Sequence, residues 1–197
     1  MSRSVLLLRA VNVSGRNLVP MARLREVLAA ETDLQHVTTY IASGNIVCDT
    51  PADAAEACAR VRQVIHAEFD VDTPVISRTH AELAGAVAAN PFADGIEKLV
   101  HAMFLEGQPS AGAVAALEER LVPGEEIALV GRDLWIRYGG DGVHTTRLTK
   151  AALDRALGVA GTARNVRTTR KLAELTAPIG PVQTGGRSEP GRIPEQT

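Results

Sequence analysis

A short polar loop after the first apolar run of the chain carries residue types that could bind an anion. Residues 5–11 are predicted to form a buried strand, and a helix is predicted over 20–30 because Pro20 suits a first helical turn. Free N–H groups at a helix start favour an anion, and an arginine adds charge while a glycine permits close backbone approach. The alternative is a connecting loop whose asparagines hydrogen-bond only its own backbone. The candidate ligand-binding residues here are Asn12, Gly15, Arg16 and Asn17.

Arg9 is a charged residue within the predicted first strand. A half-buried guanidinium needs a carboxylate or phosphate partner, because an unpaired charge away from water is costly. Arg9 is therefore a further candidate ligand-binding residue. Pairing with an acidic side chain of the same chain is an equally good interpretation.

A second polar segment, Ser43-Gly44-Asn45, separates strands predicted over 37–42 and 46–49. Gly and Asn tolerate positive φ, which is typical of a tight hairpin turn. The segment is interpreted either as a plain turn or as a second polar corner of a binding site.

A third segment contains Arg164, Asn165 and Arg167, where a weak strand over 161–166 meets the last predicted helix. An anion there could meet a helix start and a bidentate arginine donor. The structural alternative is a helix cap with surface salt bridges.

These segments are not expected to form a single site. In a split βαβ sheet we expect the 12–17 loop and the 43–45 turn at opposite ends of the sheet, and a strand of five or six residues spans about 17–20 Å. The two should therefore not bind the same small ligand unless Arg9 bridges them or the second half of the chain folds over. The 43–45 turn could instead approach residues 164–167, which are expected at the corresponding end of their own repeat.

The predicted elements repeat along the chain. The order strand-helix-strand-strand-helix-strand, followed by a helix, occurs twice, and each copy matches a split βαβ unit with helices on one face of an antiparallel sheet. The predicted fold class is α+β, with two ferredoxin-like βαββαβ repeats. The predicted division is a first subdomain over 1–90, a linker over 91–97, a second subdomain over 98–177 and a flexible Gly/Pro-rich tail over 178–197.

Two helix starts carry capping signals. Thr50 is predicted to cap the second helix, with Asp53 as the third residue of a capping box, and Thr79 with Glu82 forms the same signal for the third helix.

Composition excludes several function classes. The net charge is -2, the aromatic fraction is 3%, and the two cysteines lie in no paired motif. So few rings count against a base-stacking surface, and no apolar run is long enough to span a membrane. We expect a cytoplasmic protein without a membrane segment, a metal site or a cofactor.

Residues 147–171 form a locally basic segment. They contain seven basic residues against Asp154 alone, a net charge of +6. The usual interpretation is a set of solvated faces, and the functional one is a nucleic-acid surface.

Five motifs carry a resemblance to a known family. They are L-L-R-A-V-N-V-S-G-R-N (7–17), M-x-x-L-R (21–25), T-Y-I-A-S-G-N-I-V (39–47), P-F (91–92) and A-R-N-V-R-T-T-R-K-L (163–172). In their order and spacing the chain resembles the bacterial domain-of-unknown-function family 1697. Ser14, Ala10 and Val166 stand where that family more often has Gly, Gly and Trp. The resemblance implies a duplicated ferredoxin-like fold and no particular activity.

The leading hypothesis from the sequence is a protein that binds a small anionic or phosphate-bearing ligand. One alternative is a nucleic-acid-binding protein that uses residues 147–171. Another is an enzyme acting on a phosphorylated metabolite, although the sequence contains no G-x-S-x-G motif and no paired carboxylates that would identify catalytic residues.

Overall fold

The structure is a computed structural model that describes residues 2–51, 53–140 and 142–178. The predicted tail therefore lies outside the described residues, apart from Pro178. The first half contains β1 (Ser2–Leu8), α1 (Met21–Glu31), β2 (Gln35–Tyr40), β3 (Asn45–Thr50), α2 (Ala54–Phe69), β4 (Val75–Thr79) and α3 (His80–Ala88). The second half contains β5 (Val100–Leu105), α4 (Ala113–Glu118), β6 (Glu126–Val130), β7 (Asp133–Arg137), a 3-10 turn (Gly142–His144), α5 (Lys150–Leu157), β8 (Gly161–Asn165) and α6 (Val166–Thr176).

The two halves form two four-stranded antiparallel sheets of the same topology. Their strand orders are β2-β3-β1-β4 and β6-β7-β5-β8. The predicted α+β fold with a duplicated ferredoxin-like arrangement is confirmed.

Each sheet buries one face under its own helices. In the first repeat, Leu6 and Leu8 of β1 pack with Leu24 and Leu28 of α1 and with Val61 of α2. Alternation along β1 places Leu6 and Leu8 on this helix-covered face, and apolar residues at helical spacing complete the layer. In the second repeat the same layer contains Met103, Leu105, Leu134, Ile136 and Leu157.

The other faces of the two sheets share a third apolar cluster. Val5 and Leu7 of β1 belong to it together with Phe104 of β5 and Trp135 of β7. Helices α3 and α6 pack against each other and contribute Leu83, Ala86, Val166 and Leu172 to the same cluster. The two repeats therefore pack together through the second face of each sheet, the face that α1 and α2 in the first repeat and α4 and α5 in the second leave uncovered.

Two buried arginines join the repeats reciprocally. Arg78 of β4 donates to Leu105 O (2.8 Å) and to Asp133 Oδ1 (3.0 Å) of the second repeat. Arg164 of β8 donates to Leu8 O (2.9 Å) and to Asn45 Oδ1 (2.6 Å) of the first.

The two arginines occupy equivalent positions in their repeats. Each lies one residue before a helix cap, Thr79 or Asn165. Their acceptors also correspond, since Leu8 and Leu105 end β1 and β5 while Asn45 and Asp133 begin β3 and β7. The internal duplication is thus visible in the polar contacts between the repeats.

Two predicted boundaries are wrong for local reasons. The first strand ends at Leu8 and not at residue 11, because the backbone at Ala10 turns to a φ of +52°. Thr50 belongs to β3 and does not cap α2; Asp53 is the N-cap, and its carboxylate accepts from Ala55 N (2.9 Å) and Glu56 N (3.0 Å). The Thr79–Glu82 capping box is confirmed.

Candidate functional site

Residues 12–17, which we call the finger loop, form a miniature hairpin beyond the end of β1. Arg16 N donates to Val13 O (2.9 Å), and Asn12 N donates to Asn17 O (3.0 Å). Ser14 and Gly15 both have positive φ, +49° and +75°. Positive φ at both central residues is the requirement of a type I′ turn.

The two asparagines of the finger loop bind backbone groups of the protein. Asn12 Nδ2 donates to Val19 O (2.9 Å) and Ala42 O (2.8 Å), and Asn12 Oδ1 accepts from Val19 N (2.8 Å). Asn17 Nδ2 donates to Ala10 O (2.9 Å). These contacts match the structural interpretation of the asparagines and fix the base of the loop.

The finger loop and its flank hold a run of residues in the left-handed region. Ala10, Asn12, Ser14 and Asn17 have positive φ although none of them is glycine. Each such residue costs on the order of 1–3 kcal/mol and persists only where its surroundings hold it in place. The asparagine contacts supply that restraint, so the loop has a defined shape.

Arg16 lies at the exposed tip of this loop. Among the described residues it forms no ion pair. It borders a shallow cavity of about 460 Å³ that is also lined by Ala10, Val13, Ser14 and Asn17. Two apolar side chains of the loop and its flank are also exposed, Val13 at 55% and Leu18 at 62%.

The Ser43–Asn45 turn lies at the same end of the first sheet as the finger loop, so the prediction of opposite ends is wrong. Leu8 N donates to Gly44 O (2.8 Å), and Leu7 pairs with Asn45. The reason is topological: β3 runs antiparallel to β1, so β3 begins where β1 ends.

Arg164 reaches this turn from the second repeat, so the approach that the sequence left open for the 164–167 segment occurs in the structure. Besides Leu8 and Asn45 it contacts Ser43 O (3.1 Å) and Gly44 O (3.2 Å), while Nη1 donates to Thr162 Oγ1 (2.7 Å) and Ala163 O (2.9 Å). Burial lowers the pKa of Arg164 to about 10, which leaves the guanidinium charged at neutral pH. Each of its nitrogens has an acceptor within the protein.

Asn45 is an amide where the second repeat has the carboxylate of Asp133. Its Oδ1 accepts from Arg164, while its Nδ2 donates to Tyr40 O (2.9 Å) and Ser43 Oγ (3.2 Å). An aspartate could not make the last two contacts, because an ionised carboxylate only accepts hydrogen bonds.

Arg9 forms an ion pair with Asp154 of α5, and its side chain is 11% exposed. The structure agrees with the interpretation in which Arg9 pairs with an acidic side chain of the same chain, because Asp154 is that partner. The backbone of Arg9 is held as well, since Thr73 Oγ1 accepts from Arg9 N (3.1 Å) and donates to Arg9 O (2.6 Å). This pair is a further link between the repeats.

The remaining residues of the third segment lie apart from the finger loop. Asn165 Oδ1 accepts from Thr168 N (2.8 Å) and caps α6, and Arg167 is exposed.

The basic segment 147–171 does not form one patch. Arg164 is buried, Lys150 pairs with Asp154, Arg170 pairs with Glu97, and Lys171 pairs with Glu174.

The largest cavity that we describe lies between the repeats, and none of its lining residues is among the binding residues predicted from the sequence. It has a volume of about 670 Å³ and is lined by α2, β4 and residues of the second repeat. No local motif marks it, because its walls come from segments that are distant in the chain.

Metal and membrane signals are lacking in the part of the chain that the structure describes. It contains no group of three or more His, Cys, Asp or Glu side chains that could hold a metal ion. Within the same residues, no helix combines the length and the apolar character needed to cross a membrane.

Acid should weaken the link between the repeats through Asp154. Partial burial opposes ionisation of this carboxyl, but hydrogen bonds from Arg9 and Lys150 outweigh that effect and lower its pKa below the usual value of 3.8. A carboxyl whose pKa is lower in the folded state stabilises the fold above its unfolded pKa, and this contribution is lost as the pH falls through the folded pKa.

We therefore expect that Asp154→Asn lowers the free energy of unfolding at pH 7, and that the difference from the native protein shrinks below about pH 4. Urea unfolding between pH 3 and 7 measures this. A difference that stays constant across that range would contradict the assignment.

The fold and the polar contacts together define a class of protein: a duplicated ferredoxin-like protein whose two sheets face each other across reciprocal arginines. The sequence profile of a family described as "Protein of unknown function (DUF1697)" matches residues 1–135, and the chain belongs to that family. A solved structure of the conserved bacterial protein SP0830 from Streptococcus pneumoniae is similar, with 21% identity and a TM-score of 0.70 over 89% of this chain and 99% of that one. At this identity the likeness concerns the fold alone. The comparison with curated proteins returned no significant match.

Proposed function

We propose that this protein binds a small anionic, phosphate-bearing ligand at the finger loop, with Arg16 as the charged donor. One observation carries the proposal: Arg16 is an exposed guanidinium without an ion pair among the described residues, placed beside a cavity on a loop of defined shape. A guanidinium binds phosphate through two parallel N–H donors.

The backbone around Arg16 supports an anionic ligand. Ser14 and Gly15 are the central residues of the I′ turn, and successive N–H groups in such turns form anion-binding concavities. Gly15 has no atom within 4 Å of the position that a Cβ would occupy, so a ligand can approach the backbone closely.

The other predicted binding residues support the loop rather than the ligand in this proposal. Asn12 and Asn17 fix the finger loop itself. Arg164 and the turn Ser43–Asn45 form the polar layer at the end of β1, on which Asn12 is anchored through Ala42 O. Arg9 holds the adjoining chain through Thr73 and Asp154.

Calorimetric titration with inorganic phosphate, pyrophosphate and a nucleoside triphosphate tests the proposal. We expect Arg16→Ala to weaken the binding of the best of these anions by about 10- to 100-fold, since hydrogen bonds to charged groups contribute about 1.5–3 kcal/mol. The matched control is Arg167→Ala, which removes another exposed arginine and should leave the affinity unchanged.

Two outcomes would contradict the proposal: no binding of any of the three anions, or equal affinities of Arg16→Ala and the native protein. Binding of a DNA oligonucleotide with a steep salt dependence, in place of phosphate binding, would favour the nucleic-acid alternative. Turnover of a phosphorylated compound that depends on Arg16 would extend the proposal to an enzyme.

A further inference from the structure

The cavity between the repeats follows the free edge of β4. All five residues of β4 line it, and α2 forms one wall through small side chains. From the second repeat it is lined by Glu106, which follows β5, and by Arg132 of the β6–β7 turn. This inter-repeat cleft is therefore a groove beside a strand.

β4 is an edge strand whose sheet partner is β1. In an antiparallel ladder alternate residues direct both backbone groups away from the neighbouring strand. Ser77 is such a residue, because its carbonyl accepts from Arg78 Nη1 (2.9 Å) at the free edge. Thr79, two positions on, faces the same way and donates its N–H to Glu82 (2.8 Å). Val75 and Ser77 thus face the cleft without a strand partner among the described residues. Ser77 already has side-chain partners, since its carbonyl accepts from Arg78 and its backbone hydrogen-bonds the Cys58 thiol, so a bound strand would share or displace these contacts.

The wall opposite this edge is small and apolar. It contains Ala54, Ala55, Cys58 and Ala59 of α2. Burial raises the pKa of the Cys58 thiol to about 11, so Cys58 is a neutral wall residue at physiological pH. Small residues leave room beside the strand, and an unpaired strand edge in an apolar groove is a template for another extended segment.

The arginines of the cleft are already paired. Arg78 binds Asp133, Arg132 binds Glu82, and Arg62 binds Asp72 through two contacts of 2.6 and 2.9 Å. Glu106, in contrast, is exposed and forms no ion pair among the described residues. Of the charged side chains that line the cleft, Glu106 is therefore the one left for an ion pair with a ligand.

The duplication supplies an internal comparison for Glu106. Arg9 follows β1 as Glu106 follows β5, and Arg9 pairs across the repeats with Asp154 of α5. At the equivalent place in the other repeat, Glu106 faces α2 and forms no ion pair within the described part of the chain, because the nearby Arg62 of α2 binds Asp72. A cationic group of a ligand could pair with Glu106 there, as Asp154 pairs with Arg9 at the equivalent place within the chain.

We propose that the inter-repeat cleft binds an extended peptide segment, which adds a strand to the free edge of β4 and places a lysine or arginine side chain beside Glu106. Backbone hydrogen bonds to Val75 and Ser77 would supply affinity, and the ion pair would supply selectivity. This inference does not depend on the anion site at the finger loop.

Selection from a displayed random heptapeptide library against the full chain, followed by titration of the best synthetic peptide, tests this proposal. We expect the selected peptides to share one basic position. Methylating alternate backbone nitrogens of the best peptide should weaken its binding at least tenfold, since that removes strand hydrogen bonds and keeps every side chain.

Glu106→Gln should weaken the same peptide about tenfold and should have little effect on a version with norleucine in place of the basic residue. The matched control, Glu118→Gln, changes an exposed glutamate outside the cleft and should leave binding unchanged. The proposal is overturned if no peptide is selected, if the methylated peptide binds equally well, or if Glu106→Gln has no effect. Concentration-dependent dimerisation that blocks the peptide would instead assign the β4 edge to a second copy of the chain and would also overturn it.

Discussion

Arg78→Ala is expected to lower the free energy of unfolding by about 3–5 kcal/mol, because it leaves the largely buried carboxylate of Asp133 without its ion-pair partner. Arg78 is 2% exposed, and the side chain of Asp133 is 14% exposed. The substitution also removes the donor to Leu105 O and the cation that lies 5.3 Å from the centre of the Phe104 ring. Urea denaturation at pH 7 measures the effect.

Arg62→Ala is the control for Arg78→Ala, since Arg62 pairs with Asp72 and both side chains are about half exposed. Exposed pairs of this kind contribute about 0–1 kcal/mol. A loss below about 1 kcal/mol in Arg78→Ala, comparable with that in Arg62→Ala, would contradict a role for Arg78 in holding the repeats together.

Arg164→Ala should also be strongly destabilising, because it leaves the buried carbonyls of Leu8 and Gly44 without the Arg164 donor.

Gly44→Ala is expected to cost about 2–5 kcal/mol, because a left-handed backbone conformation and overpacking act together. Gly44 has a φ of +78°, and an added Cβ would lie 2.7 Å from Leu8 Cβ and 2.7 Å from Val11 Cγ2. Both neighbours are buried and have little room to move. Thermal and urea unfolding of the variant measure the loss.

Gly15→Ala separates the two causes. Gly15 has nearly the same φ, +75°, but no neighbour within 4 Å of the added Cβ. Its cost should be about 1–2 kcal/mol, from the backbone alone. Equal losses in Gly15→Ala and Gly44→Ala would show that the close packing of the turn against Leu8 is not what requires glycine at position 44.

The fold was predictable from sequence because its signals are local. Strand alternation, helical stripes and the Thr79–Glu82 capping box each depend on a few neighbouring residues, and their repeated order identifies the duplication. Where two local signals overlap, as with Thr50 and Asp53, the pairing of Thr50 in β3 with Ser2 of β1 decides against the predicted cap. The end of β1 was missed because the apolar residue Val11 continues the strand pattern while the backbone at Ala10 has already turned.

The site depends on contacts between distant segments, and these were only partly predictable. The sequence indicated that Arg9 needs an anion but not that Asp154, 145 positions away, supplies it. The sequence leaves open that the 43–45 turn approaches Arg164, and the structure contains that contact, but the predicted position of the turn relative to the finger loop is wrong. The inter-repeat cleft has walls from both halves of the chain, so no single stretch could indicate it.

The proposed anion site is tested most directly by a crystal of the native protein soaked in tungstate, a phosphate mimic with a strong anomalous signal. We expect an anomalous peak within hydrogen-bonding distance of the Arg16 guanidinium, at a finger loop free of lattice contacts, and no such peak in Arg16→Ala. Tungstate bound elsewhere, with the ordered finger loop empty, would contradict it.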